Sequence, residues 1–160
     1  MKLLVSIFFF LLTNATEFPD MSRIRNLYDD ALYNKSKAEE ELISYLDTTR
    51  LTALALGYKG SAIMLLAKYS SNPFSKYKYF HEGKNLLEEA IAKDSASAEL
   101  RYLRFSFQTS CPLFLGYNTS IERDKLFLME AIKNISEHDL KINILTILKN
   151  SKYINENEKQ

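Results

Sequence analysis

Arg101, Arg104 and Gln108 fall at the i, i+3, i+7 spacing of one helical stripe, on a segment otherwise built from Leu100, Tyr102, Leu103, Phe105 and Phe107. Guanidinium groups amid that much apolar surface require partners, because an unpaired buried charge is strongly disfavoured. Two chemistries satisfy them. In one, the arginines pair with carboxylates of neighbouring helices, for which Glu88, Glu122 and Asp124 are the candidates. In the other, their planar forks hold a carboxylate or phosphate of a ligand bidentately, with Tyr117 beside the anionic group. A second group mixes aromatic and basic residues: Tyr69, Phe74, Tyr77, Tyr79 and Phe80, interleaved with Lys76, Lys78 and Lys84. Such mixing can bind single-stranded nucleic acid. In a chain whose formal net charge is only +1 it reads instead as core packing plus an interaction rim. The candidate binding residues are therefore Arg101, Arg104, Gln108, Tyr77, Tyr79, Lys84 and Tyr117.

No catalytic constellation emerges. The two histidines, His81 and His138, have no His or Cys at metal-ligand spacing, so neither a metal nor another cofactor is expected. Cys111 precedes Pro112 at a predicted helix C-terminus, where the helix dipole disfavours a thiolate, and reads as a buried, inert thiol. The four glycines form no phosphate loop. Gly57-Tyr58-Lys59-Gly60 matches the clamp loop of one RNA-binding domain type, but no strand pattern flanks it and helix packing accounts for it better. Glu39-Glu40-Glu41 reads as a solvated helix face, and Glu89 with Lys93 as an ordinary i, i+4 pair.

The elements that must carry these residues follow from the chain's periodicity. Residues 1–15 stand apart: Lys2 precedes the apolar run Leu3 to Leu12, and Thr13-Asn14-Ala15 supplies small residues for cleavage after Ala15. That is the layout of a secretory signal peptide. Its removal takes one lysine and leaves 20 basic and 20 acidic residues, so nothing steers the remainder toward nucleic acid, and membrane contact is expected only during export. A single cysteine allows no intrachain disulfide. The expected location is periplasmic or secreted. Residues 16–150 form one predicted domain, and residues 151–160 a polar, disordered tail.

Within 16–150 almost every segment carries the 3.6-residue period of an amphipathic helix and none alternates with period two, which predicts an all-α fold without a sheet. About seven helices are expected. Asn72-Pro73 marks a helix start. Ser36 and Thr119 open two capping boxes, and Ser136-x-x-Asp139 starts the seventh helix. The third helix, about Arg50 to Ser70, is apolar nearly all round, and Ala53, Gly57, Gly60 and Ser61 give it a small-residue face for close approach of another helix. Leu113 to Asn118 is a predicted loop with buried Leu113, Phe114, Leu115 and Tyr117 around a hinge at Gly116. Leu86-Leu87-Glu88-Glu89-Ala90-Ile91 and Phe127-Leu128-Met129-Glu130-Ala131-Ile132 repeat one pattern 41 positions apart, the mark of stacked antiparallel helical hairpins.

Gly83, Leu87, Ala90 and the turn at Asp94-Ser95 resemble the second helix and exit of a tetratricopeptide repeat over about residues 50–135. Ser95 stands where that repeat has Pro, no Trp-x-x-Leu-Gly motif begins the first helix, and the period is longer. The strings Tyr58-Lys59-Gly60, Asn72-Pro73-Phe74-Ser75-Lys76, Tyr79-Phe80-x-x-Gly83-Lys84, Arg101-x-x-Arg104-Phe105 and Phe114-Leu115-Gly116-Tyr117 resemble a family of small exported bacterial helical proteins with no assigned activity. The resemblance implies a tetratricopeptide-like array and export, and it brings no catalytic residues. Such an array points to a noncatalytic binding or scaffold module whose concave surface docks a protein or peptide of the cell envelope. The alternative is a small anionic-ligand binder, or a cryptic enzyme, with an arginine-lined pocket.

Overall fold

The computed structural model of the chain describes residues 17–33 and 37–153. It contains seven α-helices, α1 (Met21–Leu32), α2 (Ala38–Asp47), α3 (Ala53–Tyr69), α4 (Pro73–Lys93), α5 (Ala98–Ser110), α6 (Ile121–Ala131) and α7 (His138–Asn150), with a 3-10 turn at Leu113–Leu115. No strand occurs among the described residues. The all-α class is as the periodicity predicts. The expected signal peptide, the tail beyond Tyr153 and the Ser36 capping box lie outside the described residues. Ser151 is buried and Tyr153 packs on apolar neighbours, so ordered packing runs past α7.

Short polar residues set most helix starts. Asn72 Oδ1 accepts from the N–H groups of Phe74 and Ser75 at 2.9 and 3.4 Å, and Pro73 occupies the first helical position, where a missing N–H costs nothing. Thr52 and Ser97 cap α3 and α5 in the same way. Two expected caps move by one residue: α6 begins after Ser120 rather than Thr119, and α7 after Glu137 rather than Ser136, neither with a side-chain cap bond. Capping-box spacing is satisfied by many polar stretches, and tertiary packing chooses among them.

The small-residue face of α3 does bring a helix close. Gly57 lies against Leu87 and Ala90 of α4 while Gly60 lies against the Gly83 carbonyl, so the two helices run antiparallel. A Cβ on Gly60 would stand 2.6 Å from Gly83 O, and one on Gly83 would stand 2.3 Å from Gly60 O. The two backbones therefore touch directly. In α5 and α6 contact partners also fall in number along one helix as they rise along the other: Gln108 meets Ser120, and Arg104 meets Asp124.

The 41-residue stride is visible in space. Leu87 on α4 and Leu128 on α6 both have no exposed surface. Leu87 belongs to a core built from α1 to α5, and Leu128 to a smaller one with Phe105, Ile121, Ile144 and Leu148. The stride also maps the Gly60–Gly83 contact onto Arg101 and Asp124, which form an ion pair of 3.0 Å. One hairpin is closed by two hydrogens, the next by a guanidinium and a carboxylate. Successive odd-numbered helices touch, α1 with α3, α3 with α5 and α5 with α7.

Candidate functional site

Arg104, 2% exposed, points its whole fork at carboxylates. Nε reaches Asp124 Oδ2 at 2.6 Å, Nη2 reaches Asp124 Oδ1 at 2.7 Å, and Nη1 reaches Glu88 Oε2 at 2.8 Å. Arg101 shares Asp124 Oδ1 at 3.0 Å, donates to the Ser95 carbonyl, and stacks over the Phe127 ring. Tyr117 donates to Glu88 Oε1 at 2.7 Å, and Lys84 Nζ sits 5.3 Å from the Tyr117 ring centre. Burial lowers the Arg104 pKa, but its bonds to Asp124 and Glu88 outweigh that and raise it above the ordinary arginine value. Burial, reinforced by the Glu88 charge, raises Tyr117 far above the ordinary tyrosine range.

Of the candidates, Arg101, Arg104, Gln108, Tyr117 and Lys84 thus come together on one side of α5. Gln108 Oε1 accepts from Ser120 N–H at 3.2 Å, while its buried Nε2 has no partner. Tyr77 is exposed and rests against His81, and Tyr79 is half-buried, so neither joins the carboxylate network. Two of the three anticipated carboxylates, Asp124 and Glu88, take the arginines. Glu122 pairs with Lys125 at 2.7 Å instead.

A separate cleft of about 250 Å³ opens between the odd-numbered helices, and none of those seven candidates lines it. Tyr28, Tyr58 and Tyr102 contribute from α1, α3 and α5, while Asp139, Leu140 and Asn143 contribute from α7. Across it Arg25 of α1 grips Glu99 of α5 with two bonds, 2.7 and 2.8 Å, and reaches Glu137 at 2.8 Å. Tyr58 donates to Glu99 Oε1 at 2.6 Å. The bond to Glu99 holds Arg25 charged, while burial first and Glu99 second push Tyr58 well above its ordinary range. Burial first, with the Asp29 charge adding to it, takes Tyr102 from an ordinary 10.0 to about 12.

Comparison of the chain with family models, curated proteins and solved structures finds no match.

The cleft's Arg25–Glu99–Tyr58 group escaped sequence reading. Its members are 74 and 41 residues apart on three helices, and no local spacing joins them. One signal was available. Tyr58 and Glu99 are separated by one repeat stride, so stacked hairpins bring such positions side by side. Among the described residues no group of three His, Cys, Asp or Glu is placed to hold a metal, and no helix is long and apolar enough to cross a membrane. Cys111 is half-buried, and burial pushes its thiol from 9.0 to about 11, so it stays protonated and weakly nucleophilic at neutral pH.

Proposed function

We propose that the chain is an exported, noncatalytic binding module that docks a peptide or partner helix in the cleft between its odd-numbered helices. The observation that carries this is the cleft's charge: Glu99, Glu137 and Asp139 line it, and Arg25 is the one cation among its described lining residues. Asn26, Asn143 and Ser22 add amide and hydroxyl groups suited to a peptide backbone. Tyr102, half-buried at the cleft, gives apolar area with a polar tip, a feature common at recognition surfaces. A segment bearing Lys or Arg is the complementary occupant. The helical-repeat order, the resemblance to tetratricopeptide hairpins and the leader-like residues 1–15 support a partner met outside the cytoplasm. The competing reading, an anionic ligand between Arg101 and Arg104, would have to displace a fully buried aspartate.

Titration with peptides rich in Lys and Arg, and with matched peptides rich in Asp and Glu, tests the reading. The basic set binds, and Asp139→Asn combined with Asn143→Ala weakens it by about tenfold, the scale of one lost charge-assisted contact. Preference for the acidic set, or unchanged binding by the variant, would sink the assignment.

A further inference from the structure

The turn between α3 and α4 and the turn between α5 and α6 lie at one edge of the molecule, joined by the Phe80 and Tyr117 rings at 5.9 Å. This edge carries apolar side chains that the fold leaves uncovered. Phe74 and Phe114 are each 86% exposed, and Tyr77 and Leu113 are each 63% exposed. The sequence expectation that Leu113 and Phe114 are buried is corrected here. The 3-10 turn at Leu113–Leu115 directs Leu115 and the following Tyr117 inward and leaves the other two in solvent.

The charge of the two segments that carry these side chains, residues 60–81 and 105–121, is one-signed. Lys68, Lys76 and Lys78 are exposed, and they make no ion pair among the described residues. No Asp or Glu occurs from residue 60 to 81, and no charged residue at all from 105 to 121. Several surface lysines elsewhere are matched, as in Lys93 with Glu89 and Lys133 with Glu130, although exposed Lys149 and Lys152 also lack an ion pair among the described residues. The zero net charge of the chain past Ala15 conceals this local imbalance.

We propose that this edge docks peripherally on a membrane surface bearing anionic lipid headgroups, with Phe74 and Phe114 inserted at the interface and Lys68, Lys76 and Lys78 against the headgroups. Aromatic tips favour the boundary between headgroup and acyl chain, and unpaired lysines gain from a negative surface. Lysine is depleted from the cores of protein–protein interfaces, which disfavours a protein as the occupant. Exposed aromatics this prominent on a folded chain call for a covering partner.

The chain contains no tryptophan, so Phe74→Trp, Phe114→Trp and, at the opposite end of α3, Leu51→Trp each install a single fluorophore. The full chain is mixed with vesicles of phosphatidylcholine, with or without phosphatidylglycerol, some carrying brominated acyl chains. Emission from Trp at 74 and 114 is expected to shift blue and be quenched on phosphatidylglycerol vesicles, while Trp at 51 is unaffected. That contrast separates this edge from any membrane affinity of residues 1–15. Adding Lys76→Gln and Lys78→Gln to Phe74→Trp lowers vesicle binding roughly thirtyfold, with the thermal midpoint unchanged. The proposal is overturned by no shift at 74 and 114, by an equal shift at 51, or by equal partition onto phosphatidylcholine alone. It is also overturned if a single-stranded oligonucleotide or a protein produces the shift and vesicles do not.

Discussion

Asp124 has no exposed surface and accepts hydrogen bonds from both Arg101 and Arg104. Removing one partner from such a group strands a charge in the interior, whereas replacing both removes the demand for pairing. Arg104→Leu alone and Asp124→Leu alone are each expected to destabilise the fold by about 3–5 kcal/mol, with the double variant well short of the sum. Urea unfolding of the four proteins measures this. Strict additivity would mean that the pair is not coupled. At this scale the stripe on α5 was legible, since its spacing and apolar setting demanded acidic partners. The choice of Asp124 and Glu88 over Glu122 was not, because Glu122 stands two residues from Asp124 and the rotation of α6 decides which one faces inward.

At the scale of elements, α3 and α4 depend on the mutual absence of side chains at Gly60 and Gly83. Alanine is the better helix former by about 1 kcal/mol, yet at Gly60 its methyl would meet backbone that cannot retreat without separating the helices. Gly60→Ala is therefore expected to lose about 1–3 kcal/mol net, seen as a lower midpoint in thermal unfolding. A neutral or stabilising result would show that the helices sit farther apart. Small residues on an apolar helix announced this contact in the sequence, as Asn72-Pro73 announced the start of α4. The capping box at Thr119 and the polar start at Ser136 each misplaced a helix start by one residue. Leu113 and Phe114 misled for another reason: apolar type reports what a residue would bury, and a chain has apolar residues that face a partner or a lipid surface instead.

For the whole molecule, burial of ionisable tyrosines and of Cys111 couples folding to alkaline pH. The fold favours their neutral forms: Cys111 is raised from 9.0 to about 11 and Tyr102 from 10.0 to about 12, with Tyr28, Tyr58 and Tyr117 higher still. A group shifted upward keeps its full contribution below its unfolded value and loses it as pH climbs through its folded one. Stability should thus hold to about pH 9 and fall steadily toward about pH 12, read as the urea midpoint across that range. A flat profile would show that these groups are in contact with water. Arg25 adds a further constraint, because it reaches from α1 past α3 to Glu99 on α5 and to Glu137 at the head of α7. In an open solenoid each unit meets only its neighbours and units can be gained or lost with little penalty. Here another hairpin inserted between residues 33 and 98 would carry Arg25 out of range, stranding Glu99 in the interior. Growth by tandem duplication inside this array is closed off, and variation in length is confined to its ends.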